Sequence, residues 1–473
     1  FTIFVSFISS IDKLIEKYQT NLESIISHCI KTQKETGEIY TPSDYSLGDE
    51  INFEELDKFL DDDFKGKPRR EAIEGIYRLS GLQQGMLFHG LYDENSGAYI
   101  EQLSCDLTNP NLDVIKKSWE YVLRNHSILR SGFYSDEFSI PVQCVYKNAE
   151  LPVEILDFSE SNSEDQNKAI KEYEETARYK GFDFKTAPLM RICLMKLSKE
   201  KYRMLWTSHH ILFDGWSMPI LMEEFLTAYE NLISGKELQS KEADRYEDYI
   251  RYIERVDKEK QENYWRGYMQ GVEQSTLLPF IGTTKNRNKG VGDYSAEYLN
   301  LDEETNTILV QYAQKNRLTI NTIMQGIWSF LLHRYTGSKD ITYGVIVSGR
   351  PDEMNSVEQR VGLFINTLPL HSIINNDVII SDWLKDMQNQ RVHTRQFQYT
   401  PLQEIQEWTE VSGDLFDSLL VFENYPVSEI TKSRNWKLEV DNVQMKEQTN
   451  YPLTIIISDE EEIKIRFSYN KEL

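Results

Sequence analysis

"WTSHHILFDGWS" (residues 206–217) sets two adjacent imidazoles just ahead of an Asp-Gly pair. The preceding "KYRMLWTS" (201–208), rich in aromatic and branched side chains, predicts a strand. Successive side chains of a strand point to opposite faces, so His209 and His210 are expected to do different work. Asp214-Gly215 is a turn signal. Ser217 is expected to cap a helix through "MPILMEEFLTAYENLI" (218–233), with Pro219 in its first turn and Gly235 near its stop. One imidazole thus lies at a strand end, where loops open to substrate.

The rest of the chain supports a substantial globular protein. Its 473 residues suffice for two domains or one two-lobed unit, and 40% hydrophobic content supports a real core. A formal charge of −24, from 52 basic and 76 acidic residues, argues against nucleic acid or an anionic membrane as partner. The charge reads first as a well-solvated acidic surface. Cys29, Cys105, Cys144 and Cys193 are scattered without metal-ligand spacing, as expected of thiols in a cytoplasmic protein. "FTIFVSFI" at the start is too short to span a bilayer and lacks a basic leader. It reads as part of a helix from a longer polypeptide.

Helical spacing of Ile11, Leu14, Ile15, Tyr18, Leu22, Ile25 and Ile26 predicts a helix over 1–30. The polar, turn-rich stretch after it predicts a linker over 31–73, interrupted by a short helix at 53–63. Further helices are predicted at 80–94 and 112–129, a buried one at 321–337, and another at 381–397. Strands are predicted at "AYIEQLSCDL", "VQCVYK", "VEILDF", "MRICLMKL" and "ITYGVIVSG". "NYPLTIIIS" and "EIKIRFSYN" read as a pair. This mixture suits an α+β architecture of two lobes.

Metal chemistry at the histidine pair is disfavoured: adjacent strand histidines diverge, and no Glu-x-x-His or third clustered ligand stands nearby. No G-x-S-x-G elbow points to a serine hydrolase. Two readings stay open from the residues alone. Both histidines are satisfied structural residues, or one is a positioned general base for an amine or hydroxyl attacking a thioester. A buried Asp214 would need a cationic partner such as an arginine.

His209-His210-Ile-Leu-Phe-Asp214-Gly215 resembles the HHxxxDG motif of nonribosomal peptide synthetase condensation domains. Other signatures follow in order over about residues 74–473. They are "IYRLSGLQQGMLFHGLYDENSGAYIEQ" (76–102), "NHSILRSGF" (125–133), "YEDYIRYIE" (246–254), "YWRGYMQG" (264–271), "YGVIVSGRP" (343–351), "VGLFINTLPL" (361–370), "QYTPLQEIQ" (398–406), "VFENYP" (421–426) and "NYPLTI" (450–455). Asn125 and His371 depart from arginines usual in the family, whereas Arg130 and Arg350 are kept. Epimerisation domains share the motif but carry an "EGHGR"-like acid stretch, absent here; cyclisation domains replace the histidines. The sequence ends at "SYNKEL", where the family usually continues into a closing helix.

The resemblance implies two chloramphenicol-acetyltransferase-like lobes in a V, residues 74–250 and 251–473, with His210 in a tunnel between them. Ahead of them, "LESIISHCIKTQKETGEIYTPSDYSL" (22–47) resembles the tail and exit linker of an epimerisation or condensation domain, which implies the C-terminal helix of such a preceding domain (1–30) and an interdomain linker (31–73). Amide-bond formation would use His210 on the acceptor amine and the Gly215 N–H on the donor carbonyl. His209, Asp214, Arg350 and Arg130 would be structural, with Arg350 the favoured partner of Asp214 and Arg130 the second choice. Trp216, Ser217, Tyr99, Gln102 and Asn366 are candidate tunnel residues. No metal and no bound cofactor are implied; 4'-phosphopantetheine arms would come from upstream donor and downstream acceptor carrier proteins. Adjacent epimerisation and adenylation domains are the other expected partners of a monomeric domain. The Gln-x-Gly-Met-Leu-Phe-His opening resembles domains that accept a D-configured donor. A non-catalytic docking domain that recruits partner proteins, or an epimerisation-type domain, is the alternative.

Overall fold

The apolar spacing of the first residues produces one long helix, α1 (Thr2–Thr36), which runs past the expected end at residue 30. The computed structural model describes residues 2–36, 39–92, 97–239, 241, 243–282, 287, 290, 292–423, 430, 435–459 and 462–473. Parts of the predicted helix start (Phe1), linker (37–38), opening segment (93–96) and "VFENYP" stretch (424–426) lie outside these residues. Two units emerge: residues 1–71 with 137–139, and residues 72–136 with 140–473. Among the described residues no helix is long and apolar enough to cross a membrane.

In the first unit, the apolar stripe of α1, including Leu14, Ile15, Tyr18 and Ile25, is exposed. Helix α2 (Phe53–Asp61) starts where Asn52 accepts from the Glu55 N–H at 2.9 Å and Glu55 accepts in return from the Asn52 N–H. It buries Leu56, Phe59 and Leu60, and Phe59 packs on Phe138. A tight hairpin, β1 (Asp63–Phe64) and β2 (Lys67–Pro68), follows.

The second unit begins with β3 (Ile73–Arg78), α3 (Gly81–Tyr92), β4 (Ile100–Thr108), α4 (Leu112–Asn125), β5 (Ser131–Tyr134), β6 (Val142–Tyr146) and β7 (Val153–Asp157). Then come α5 (Ser163–Tyr179), β8 (Met190–Lys196), β9 (Lys201–His209), α6 (Ser217–Ile233) and α7 (Glu247–Glu254). Its later half contains α8 (Lys258–Tyr268), β10 (Tyr294–Asn300), α9 (Glu303–Asn316), α10 (Ile320–Thr336), β11 (Asp340–Val347) and β12 (Asn366–Ile373). It ends with α11 (Ile380–Thr394), α12 (Leu402–Glu407), β13 (Ser418–Glu423), β14 (Glu439–Lys446), β15 (Leu453–Asp459) and β16 (Ile463–Asn470).

Each half has a mixed sheet. The first runs β14-β4-β9-β8-β7, the second β10-β16-β15-β13-β11-β12, and β3-β6-β5 form a smaller one. Strand β14 comes from the later half yet pairs antiparallel with β4, so the first sheet is not built from residues 74–250 alone. Periodicity marks a strand but not which sheet it joins. Helix α4 starts at Asn111, whose side chain accepts from the Val114 N–H, and buries Trp119 against Phe225 of α6 at 4.7 Å between ring centroids. It ends at Asn125, and a 3-10 turn (Ser127–Arg130) completes the predicted span. Helix α10 is not buried all round: Ile327, Phe330, Leu331 and Tyr335 are exposed. It is apolar on both faces, so composition alone overstates its burial.

His126, just after α4, is buried between carboxylates, with Nε2 2.6 Å from Glu224 and Nδ1 3.7 Å from Asp244. Burial opposes its charged form, but the neighbouring Asp244 and Glu224 carboxylates, the latter hydrogen-bonded to Nε2, raise its pKa above the ordinary 6.5. A raised folded value means the stabilisation is complete below the unfolded value and fades as pH climbs through the folded one. His126→Ala should therefore cost more stability at pH 6 than at pH 9 in chemical denaturation, about 3 kcal/mol at the acid end. Equal losses at both pH values would contradict this assignment.

Candidate active site

Strand β9 delivers the histidine pair as its residue pattern dictates. His209 is 2% exposed; its N–H bonds to Leu189 O, and its ring meets Phe184 edge-on at 4.9 Å. Its Nδ1 accepts from the Ile211 N–H at 3.0 Å. Burial, and after it the charge of His210, pushes its pKa down to about 3, so this ring is a neutral brace at ordinary pH. His210 turns the other way, onto a cavity of about 60 Å³. Its Nδ1 is 2.7 Å from the Phe213 carbonyl, which can only accept, so Nδ1 carries the proton. Nε2 is then the lone-pair nitrogen of the neutral ring.

The turn after the pair is held by the later half of the chain. Asp214 is wholly buried and accepts from Ser217 N (3.1 Å), Ser217 Oγ (2.9 Å), an Arg350 guanidinium nitrogen (3.1 Å) and Phe364 N (2.9 Å). Its own N–H donates to Gly362 O at 3.1 Å. Arg350 also reaches the carbonyls of Val357 and Arg360, and stacks on Phe364 at 4.2 Å. The carboxylate of this buried ion pair has its hydrogen-bonding capacity met, the condition under which burial of charge is tolerated. Arg130 lies elsewhere, on Glu74 at 2.7 Å and the carbonyl of Tyr146, so it is not Asp214's partner.

Three further expectations need correction. Ser217 is the first residue of α6, not its cap, and its hydroxyl belongs to the Asp214 cluster instead of a tunnel wall. The short Asp214 side chain reaches the helix N-terminus first and takes the Ser217 N–H. Trp216 is 37% exposed and does not line the cavity that holds His210. Gln102 points away, donating to Glu174 O at 2.8 Å. In the register of β4 on β9, Gln102 pairs with Thr207 and Ile100 with His209, so Gln102 shares the face of His209 and not that of His210.

Tyr99 and Gly215 do line the cavity with His210. Tyr99, at φ 61°, donates its hydroxyl to Asn450 at 2.6 Å. The Gly215 N–H makes no hydrogen bond among the described residues. A larger cavity of about 1080 Å³ shares Leu82, Tyr99, Thr367, Asn450 and Tyr451 with the smaller one and includes Asn366. Asn366 donates to Gln398 O and Thr400 O, tying its strand to the following segment. Gln83 of α3 donates to Ile211 O at 3.1 Å and braces the loop after His210.

Three carboxylates on the cavity wall, Glu101, Glu423 and Glu447, escape the sequence reading. Strand parity could have found Glu101, two residues beyond Tyr99; the other two come from distant segments and leave no local signal. Glu447 bonds to Arg466, and burial followed by Glu447's charge holds Glu423 well above the carboxylate range. Among the described residues no group of three or more His, Cys, Asp and Glu is placed to hold a metal ion.

Arg350 reaches Asp214 because Gly349 sits at φ 58°, with its backbone against Phe364. A methyl group there would lie 1.8 Å from the Phe364 carbonyl oxygen. Gly349→Ala is expected to cost at least about 3 kcal/mol, because strained backbone and backbone collision add. Chemical denaturation measures it; a loss below about 0.5 kcal/mol, typical of an ordinary surface change, would contradict the tight approach.

A family model described as Condensation domain matches residues 73–473. A linear gramicidin synthase from Brevibacillus parabrevis is 36% identical over 465 residues, covering 98% of this chain and 6% of that protein. Bacitracin synthase 1 of Bacillus licheniformis is 32% identical over 473 residues, 98% of this chain and 9% of the relative. The chain thus spans less than a tenth of these relatives. The solved first condensation domain of the calcium-dependent antibiotic synthetase, at 17% identity, has the same fold, with a TM-score of 0.67 over 85% of this chain and 92% of that one. The chain belongs to the condensation-domain family of nonribosomal peptide synthetases, with the mixed α/β fold of its solved members.

Proposed function

We propose that this chain transfers an aminoacyl or peptidyl group from an upstream carrier thioester to the α-amine of an aminoacyl group on a downstream carrier. The observation that carries the reading is His210: its Nδ1 is fixed on the Phe213 carbonyl while its ring lines the cavity. The amine lone pair attacks the thioester carbon, its proton passes to His210 Nε2, and the C–S bond breaks. The departing thiolate then takes that proton, leaving an amide and a free carrier thiol. Thioester aminolysis is downhill, so alignment of the two phosphopantetheine arms supplies most of the acceleration. The unengaged Gly215 N–H suits the donor carbonyl oxygen as charge builds on it.

His209, Asp214 and Arg350 hold this geometry, and Arg130 ties together β3 and β6 of the small sheet; Tyr99 and Asn366 are the tunnel residues retained. Residues 74–250 and 251–473 serve as the two lobes, with 1–30 and 31–73 as the tail of a preceding domain and its linker. The domain would act as a cytoplasmic monomer beside epimerisation and adenylation domains. The donor is a D-configured residue, on the strength of the "LQQGMLFHG" opening (82–90). Leu82 and Met86 from that opening line the cavity with His210, where a wall can reject one hand of the donor. An epimerisation-type reading draws on Glu423, a carboxyl on the same wall whose pKa burial raises well above the usual carboxylate range.

Chemically defined D- and L-dipeptidyl pantetheines, loaded on the upstream carrier and mixed in D2O with a loaded downstream carrier, test these readings. Mass spectrometry should find the extended peptide on the downstream carrier, formed roughly tenfold or more faster from the D-donor. His210→Ala should lower the rate by about two to four decades without loss of fold. Equal rates for both hands would remove the D-donor assignment. Deuterium gain at the donor α-carbon without transfer would favour epimerisation, and neither transfer nor exchange would leave a docking role.

A further inference from the structure

Glu101 is 2% exposed, and neither of its carboxylate oxygens has a hydrogen-bond partner among the described residues. It lines the cavity, and its Oε1 lies 3.3 Å from Nδ1 of His210. A buried carboxylate without hydrogen bonds is strongly disfavoured unless an opposite charge stands beside it. We propose that Glu101 is a positioning residue for the reaction: its carboxylate is the counter-charge that forms an ion pair with His210 when that ring takes the amine proton. The inference rests on the condensation reading above.

The other charged groups near His210 are committed. Asp214, on its own loop, is bound to Arg350 and two backbone N–H groups. Glu447, from the segment after β14, is bonded to Arg466 of β16. Glu423, at the end of β13, lines the same wall as Glu447, and burial followed by Glu447's charge raises its pKa well above the usual carboxylate range. His209 faces away on β9 and stays neutral. Glu101, on β4, is left to answer the imidazolium. Burial lifts its pKa to about 7 while His210 pulls it back. Burial also opposes the charged form of His210, but Glu101 first and the Phe213 carbonyl next raise its pKa overall. Because Nδ1–H stays on Phe213 O, the pair gains strength only as Nε2 becomes protonated, so Glu101 favours the proton-bearing stage over the resting one.

The test uses Glu101→Gln, close in shape without the charge, and Glu101→Asp, shorter with the charge kept. Histidine-selective NMR on the whole chain, with the His210 signal assigned from its loss in His210→Ala, reads the ring directly. Glu101→Gln should move the His210 midpoint down by about one pH unit or more, as expected for a lost opposite charge at this distance. Single-turnover transfer between loaded carriers should slow roughly tenfold or more, with apparent carrier KM unchanged. Glu101→Asp should recover part of both. Should the glutamine variant not fold, the aspartate variant still reports, with a midpoint between that of the native chain and the ordinary histidine value. An unmoved His210 midpoint in a folded variant overturns the proposal. If that occurs while His210→Ala remains inactive, condensation through His210 stands and only the role of Glu101 falls. If His210→Ala keeps the native rate, the reading of His210 falls instead.

Discussion

A carboxylate with no solvent exposure, Asp214, sits where the two halves of the condensation unit meet. It belongs to the turn that follows the histidine pair, yet two of its donors, Arg350 and the Phe364 N–H, come from more than a hundred residues later. Coulomb attraction at short range and a full set of hydrogen bonds make such a site stable when complete and costly when any member is lost. Ser217 and Gly362 join the same cluster, so the start of α6 and the approach to β12 are fixed together. The position of His210, only four residues before Asp214, follows from this anchoring.

Adjacent histidines with opposite fates are a direct result of strand alternation. The ring facing the core loses its proton affinity through burial and becomes a brace between Phe184 and Tyr99. The ring facing the cavity keeps a lone pair available, because a main-chain carbonyl takes its other nitrogen. Walls for the cavity come from α3, β4, β11, β12, β13 and the segment between β14 and β15. Both halves therefore contribute to the environment of one imidazole. That division suits the proposed transfer between two tethered substrates, in which alignment counts for more than bond activation.

Much of this is legible in the sequence where local patterns carry the information. The strand at Lys201–His209 and the opposed histidines rest on alternation and turn chemistry, and a buried Asp214 calls for a cationic partner; that Arg350 and not Arg130 fills that place comes from the family resemblance and holds in the structure. The family signatures cluster for a physical reason: Gly349-Arg350, Gly362, Phe364, Gln83 and the residues 447–451 all close around the same turn and cavity. What stays hidden is non-local. Strand β14 crosses to the other half's sheet through backbone pairing that no side-chain pattern specifies. Gln102 is one position away from the cavity-facing residue, because alternation without the register on β9 does not say which face looks inward. Ser217 reads as a cap because Ser is a frequent one; that Asp214 reaches the same N–H first depends on the turn's shape.

A double-mutant cycle on Asp214 and Arg350 tests the central claim, that this pair anchors the catalytic turn across the two halves. Asp214→Ala, Arg350→Ala and the double variant would be compared with the native chain by chemical denaturation and by single-turnover transfer between loaded carriers. Each single change should cost about 3–5 kcal/mol, because it strands a buried charge. The double variant should cost less than the sum by about 2 kcal/mol or more, with transfer impaired in step with the lost stability. Additive losses, or a folded and fully stable Asp214→Ala without transfer, would contradict the claim and make Asp214 a catalytic group instead of an anchor.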